Sequence, residues 1–192
     1  EVASLVLSNN YEQTLALSLD QATGVLGLAR QARLMSVLEE RGELSREVET
    51  LPTDAGIADL KAAGKALTRP ELAVLLAYAK LDLYDRILES SLPDEAYLTD
   101  RLVHYFPERM RQEHLADIET HRLRREIVAT RLANAFVNRL GSPFAVMFAD
   151  AAGATAPRCA SRGWNSTSRS SWAARSRAAR WGCTSSTARA TS

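Results

Sequence analysis

The sequence predicts an all-α fold, a multi-helix bundle of about six to eight helices, followed by a disordered Ser/Arg-rich C-terminal tail. Three observations lead there. Apolar residues recur at helical spacing through most of residues 1–157, no stretch alternates with a period of two over more than a few residues, and Gly42, Pro52, Pro107, Gly141 and Pro143 fall where periodic stretches end. The 192 residues, 46% of them hydrophobic, suffice for one domain with a sizeable core and exclude wholesale disorder.

Taken in order, Val2–Leu7 reads as the end of a helix, with Ser8-Asn9-Asn10 as the polar break that stops it. Tyr11–Ala22 resumes helical spacing, with Tyr11, Leu15 and Leu19 on one side, and Gly24 is a joint. Val25–Arg41 is a longer amphipathic helix with Leu28, Ala32, Met35 and Leu38 inward, and Gly42 sits where a left-handed C-terminal cap belongs. Ser45–Leu51 predicts a short helical turn ended by Pro52, and the polar, Ala/Gly-rich run Thr53–Lys65 a mobile connection.

The stretch from Thr68 to Ser91 is the best specified of all. Thr68-x-x-Glu71 is a capping box with Pro70 in the first turn, a start signal worth on the order of 1 kcal/mol. Leu72, Leu75, Leu76, Ala79, Leu83, Ile87 and Leu88 follow at helical spacing, and Val74 and Leu81 widen the stripe until only Lys80, Asp82, Asp85 and Arg86 are left for solvent. A helix so apolar is expected to be largely buried. After Leu92-Pro93-Asp94 a further helix carries Tyr97, Leu98, Leu102, Tyr105 and Phe106 on its inner face, and Pro107 breaks it. From Glu108 the pattern runs on to Leu140, with Leu123, Ile127, Val128, Leu132, Phe136, Val137 and Leu140 inward.

Composition divides the chain in two. Residues 158–192 hold all three Trp, both Cys and seven of the 24 basic residues, but no acidic residue and no aliphatic one beyond Ala. That leaves 17 basic against 23 acidic residues in 1–157, so an acidic body precedes a basic tail. Such a tail can bind RNA or membranes through charge. The preferred reading is that it is the product of a GC-rich gene read out of frame, the authentic sequence being lost near Ala156–Cys159. Cys159 and Cys183 have no metal-like spacing. No apolar run reaches the roughly 20 residues that span a bilayer, and Glu1 opens no basic-apolar signal. The expectation is a cytoplasmic protein without membrane contact, and a piece of a longer chain, since Glu1–Leu7 already reads as mid-helix.

Few side chains suggest chemistry. His114, Asp117 and His121, at i, i+3 and i+7, would share one face of an unbroken helix and could ligate zinc or another divalent ion, although Asp117 is better read as a helix cap. Arg122, Arg124, Arg125, Arg131 and Arg139 make the last helix basic, the footprint of nucleic-acid binding. Pairing of Arg122 and Arg125 with Glu119, Glu126 or acidic neighbours across the bundle is preferred, with no nucleic-acid partner. Asn134 and Asn138, beside the apolar stripe, need partners if buried and are read as interhelix or subunit contacts. Gly24-Val25-Leu26-Gly27 lacks the strand and third glycine of a dinucleotide turn. No catalytic, cofactor-binding or metal-binding residue is assigned.

Three blocks, NYEQTLALSL (Asn10–Leu19), LTRPELAVLLAYAKLDLYDRILES (Leu67–Ser90) and HRLRREIVATRLANAFVNRLG (His121–Gly141), resemble the helical C-terminal region of the large bacterial NAD-specific glutamate dehydrogenases. SLPDEAYL and YFPER sit where that family places similar words, so the resemblance covers about residues 1–157. It implies oxidative deamination of L-glutamate to 2-oxoglutarate and ammonium, with hydride passing to NAD. It also implies that NAD and glutamate bind a separate upstream domain, so Lys61, Lys65 and Lys80 carry no catalytic role. This chain would pack on the catalytic domain of its own polypeptide or between subunits of a homo-oligomer. The alternative is a free-standing helical module that binds an acidic partner or RNA.

Overall fold

Local capping signals decide where these helices begin and end. The computed structural model describes residues 2–151, and the reading of 158–192 as an out-of-frame tail lies outside the described residues. The order is α1 (Val2–Ala22), α2 (Leu28–Glu40), α3 (Asp54–Ala62), α4 (Arg69–Glu89), α5 (Thr99–Val103), α6 (Glu108–Glu113), α7 (Leu115–Glu119), α8 (Arg124–Leu140) and α9 (Phe144–Ala151), with no strand among the described residues.

The start of α4 is as expected: the Glu71 carboxylate accepts from both the Thr68 backbone N–H and its hydroxyl, at 2.6 Å each. Leu72, Leu75, Leu76, Ala79 and Ile87 are buried, and α4 packs against α8, α1 and α2. Where α4 meets α8, the small side chains of Ala129 and Ala133 are buried against Ile87 and the neighbouring Leu83, Tyr84 and Leu88. The expected faces of α4 are corrected at three positions: Leu81, expected in the apolar stripe, is exposed, while the Lys80 ammonium and Asp82, expected in solvent, are buried. Asp82 is 3% exposed and lies between Arg41, with which it forms an ion pair, and Arg86 at 3.5 Å. A carboxylate can be held there because Arg41 donates a hydrogen bond to it and both guanidiniums supply the opposite charge.

Two further corrections concern the first half. Helix α1 runs unbroken through Ser8-Asn9-Asn10, because Ser and Asn lower helix propensity by only a few tenths of a kcal/mol, less than packing against α8 and α4 returns. The side carrying Tyr11, Leu15 and Leu19 is exposed, whereas Ala16 enters the core. Thr53–Lys65 is not a loose connection. The Thr53 hydroxyl caps α3 by accepting from Gly56 N–H at 3.3 Å, and Ile57 and Leu60 pack on the main core. Arg46, itself buried, ties the end of α2 to the start of α3 by reaching Glu39 at 3.0 Å and Asp54 at 2.6 Å. Gly42, at φ +70°, ends α2 as expected: its N–H reaches the Glu39 carbonyl and Glu43 N–H the Leu38 carbonyl, a Schellman closure.

The turn after Ser45 closes similarly but without glycine. Leu51 N–H reaches the Arg46 carbonyl at 2.9 Å, which places exposed Thr50 at φ +54°, a region that a β-branched side chain disfavours. Relief of that strain outweighs the added freedom of a glycine in the unfolded chain, so Thr50→Gly is expected to stabilise the protein by about 1 kcal/mol. Urea unfolding would reveal it as a raised midpoint at unchanged slope; a lowered midpoint would contradict the assignment of strain.

In the second half Leu98 and Leu102 are buried as expected, but Tyr97 and Tyr105 are exposed. The Glu108–Leu140 pattern is three helices and not one: His114 leaves helical geometry at φ −135°, ψ 34°, and Thr120–Leu123 separate α7 from α8. Val128 and Val137 face inward, while Leu123, Phe136 and Leu140 are exposed. Helix α9 was not anticipated. Val146 anchors it in the core, and Asp150 accepts two hydrogen bonds from Arg33 of α2, both 3.0 Å. No helix among the described residues is long and apolar enough to cross a membrane.

Candidate functional site

The histidine-carboxylate face that the sequence could form on an unbroken helix, where no metal site was assigned, does not assemble: the break after α7 takes His121 away from His114 and Asp117. His114 Nδ1 lies 3.3 Å from Asp117, whereas His121 Nδ1 accepts from Leu123 N–H at 3.1 Å and its ring tilts against Phe106. No group of three or more His, Cys, Asp or Glu is placed to hold a metal among the described residues.

Among these arginines, Arg125 has local partners. Arg125 donates to the carbonyls of Leu88 (2.7 Å) and Ser90 (3.0 Å) and pairs with Asp94. A cation is thus set on the carbonyl end of α4, where the helix dipole favours it. This is the pairing with acidic neighbours across the bundle that the sequence suggested. Arg131 and Arg139 line a hollow of about 180 Å³ together with Arg101 and Glu12.

Of the lysines, Lys61 and Lys65 are exposed. Lys80 is not: its Nζ is buried without a hydrogen-bond partner among the described residues. Burial pushes its pKa down from 10.5 to about 8, against the opposing pull of Glu12. Between those two values the unfolded chain holds a proton that the folded chain has released. Stability therefore rises with pH from about 8 to 10.5, and the cost of the buried charge is fully present below pH 8. Lys80→Met is expected to remove that slope and to stabilise the chain at neutral pH by about 1 kcal/mol, a figure kept low because the group is only half withdrawn from water. Thermal unfolding of both chains across this pH range checks it; parallel curves would contradict the assignment.

A cleft of about 260 Å³ lies where α1, α2, α8 and α9 meet. Gly141, at φ +85°, turns the chain from α8 toward α9 there, and a Cβ at this position would stand 3.1 Å from Asp20 Oδ1. Asp20 in turn accepts from the Ser142 hydroxyl at 3.0 Å, which fixes the turn. Two buried amides line the cleft, Gln31 (2% exposed) and Asn138 (5%). Asn138 donates to Asn9 at 3.4 Å, an interhelix contact of the kind expected, yet Asn138 Oδ1 and Gln31 Oε1 have no partner among the described residues. Asn138 was visible in the sequence as a polar residue beside an apolar stripe. Gln31 was missed, although it falls three residues after Leu28 and four before Met35, inside the inward stripe of α2.

The amide-lined cleft, the ion pairs that join helices and the apolar side chains left outside the core belong to an all-helical segment. Comparison with known proteins gives it a family. The family profile described as glutamate dehydrogenase, C-terminal, matches residues 64–175, and the chain belongs to that family. It is 43% identical over 159 residues to the NAD-specific glutamate dehydrogenase of Pseudomonas aeruginosa, 38% over 155 to that of Mycobacterium tuberculosis and 36% over 154 to that of Halomonas elongata. These matches take in 83%, 81% and 80% of this chain but 10% of each of those proteins.

Proposed function

We propose that this chain is a structural and assembly segment of an NAD-dependent glutamate dehydrogenase, and that the parent enzyme converts L-glutamate, NAD and water to 2-oxoglutarate, ammonium and NADH. The observation that carries this reading is the 36–43% identity, over four-fifths of the chain, to three proteins named for that activity. Those proteins are about ten times as long as the stretch they share with it, which leaves room outside this chain for a catalytic domain that binds glutamate and NAD. In the reaction the α-hydrogen leaves as hydride to NAD, and water then replaces the nitrogen as oxygen. None of those steps is assigned to a residue here. The partners proposed are the catalytic domain of the same polypeptide and further copies in a cytoplasmic homo-oligomer, without nucleic acid or membrane.

The test is NADH formation from L-glutamate and NAD by the full-length protein that carries this segment, beside the 192-residue chain alone. Turnover by the full-length protein only is the expected result. NADH formed by the chain alone, or none from the full-length protein, would overturn the proposal.

A further inference from the structure

The cleft between α1, α2, α8 and α9 combines three properties that are costly on a surface left to water. Two of its lining residues, Gln31 and Asn138, carry buried amide oxygens without a partner among the described residues. A buried acceptor of this kind retains its full desolvation cost until a donor reaches it. Its rim is apolar: Leu19, Leu140 and Met147 line it and are 39–56% exposed, and Phe148, stacked on the lining residue Phe144, is 63% exposed. The same apolar character continues by four-residue steps to Leu15 on α1 and Phe136 on α8, both exposed. Large side chains grouped in this way mark a surface that another protein element covers.

Donors for the amide oxygens and apolar side chains for the rim are what a polypeptide segment brings, since its backbone N–H groups and its side chains arrive together. A second copy of this chain fits less well. In a two-fold contact each face meets itself, and this one sets two cations, Arg30 and Arg139, against the single carboxylate of Asp20, so a copy brings more positive than negative charge to it. By contrast, nine-tenths of each relative's length lies outside the part that matches this chain.

We infer that this cleft is the docking site for a segment of the preceding part of the same dehydrogenase polypeptide, which inserts an apolar anchor between Leu19, Leu140 and Met147 and donates backbone N–H groups to Gln31 and Asn138. The inference rests on the reading of the chain as part of that enzyme and names the surface through which it packs. Arg30 and Arg139 at the edge favour an acidic residue beside the anchor.

The experiment places a photo-crosslinker at the rim of the full-length dehydrogenase, Leu140→p-benzoylphenylalanine in one variant and Phe148→p-benzoylphenylalanine in another. Both positions are exposed within this segment, and the second exchange keeps an aromatic ring, so a fold lost in one variant leaves the other to decide. After irradiation, crosslinked peptides are identified by mass spectrometry. The expected result is a crosslink to one stretch of the preceding polypeptide, reduced about tenfold or more when Gln31→Leu and Asn138→Leu remove both acceptors. A crosslink to the same region of a second copy overturns the inference, as does none above the background of an unsubstituted sample. Each sample is also assayed for NADH formation from glutamate. Activity without the crosslink sinks the docking site alone, whereas an unsubstituted full-length protein without activity sinks the dehydrogenase reading on which it stands.

Discussion

Leu75→Ala is expected to lower the stability of the chain by about 2–5 kcal/mol, the largest loss from a single apolar truncation in α4. Leu75 has no exposed surface, and it belongs to a core to which α1, α2, α4, α8 and α9 all contribute. Removing three carbons there forfeits their transfer from water and leaves a void that helices held on several sides cannot fully close. Urea unfolding of the two chains, compared with Leu81→Ala on the exposed side of the same helix, separates core packing from helix propensity. The control is expected to change stability by less than about 1 kcal/mol. Equal losses at both positions would show that α4 is not packed as described.

Asp82→Ala ranks second, at about 3 kcal/mol. Breaking a buried pair typically costs about 3–5 kcal/mol because the remaining charge loses its counter-ion. The lower end applies here, since Arg41 and Arg86 keep 24% and 40% of their side chains exposed and can turn partly to water. The mechanism has a distinctive signature. Replacing Asp82→Leu together with Arg41→Met is expected to recover most of the loss, because the one charge then left without its carboxylate, Arg86, keeps 40% of its side chain in solvent. A double variant as unstable as the sum of its parts would show that the ion pair stabilises the bundle on its own account.

These two residues also show what the sequence could and could not convey. The α4 core was legible because three local signals agree: a capping box, an apolar stripe of helical period and a long interval without glycine or interior proline. Asp82 was not, since hydropathy assigns a lone carboxylate between leucines to solvent. Its partner Arg41 lies 41 residues away, where no local pattern reaches. Helix α3 was misread for the opposite reason: Ala and Gly suggested a linker, while Thr53 and Gly64 were in place to start and stop a helix. The periodicity from Glu108 onward overstated continuity, because a kink at His114 needs neither Pro nor Gly and leaves the spacing of apolar residues intact. The cleft was half visible. Asn138 announced itself, but Gln31 and the wall formed by α9 depend on how distant helices meet, and that meeting is tertiary information.

The attachment of α9 to the rest of the bundle has a consequence in acid. The Arg33–Asp150 pair lies at the surface, and its hydrogen bonds hold the Asp150 carboxyl below the ordinary aspartate value of 3.8. A carboxyl with a lowered folded pKa stabilises the native state above 3.8 and loses that contribution as the pH falls through the folded value. Protonation therefore weakens one surface tie between α9 and α2, the Arg33–Asp150 pair, and leaves the apolar contacts of α9 in place. Acid is thus expected to fray α9 from its C-terminal end, with Val146 still holding its first turn in the core.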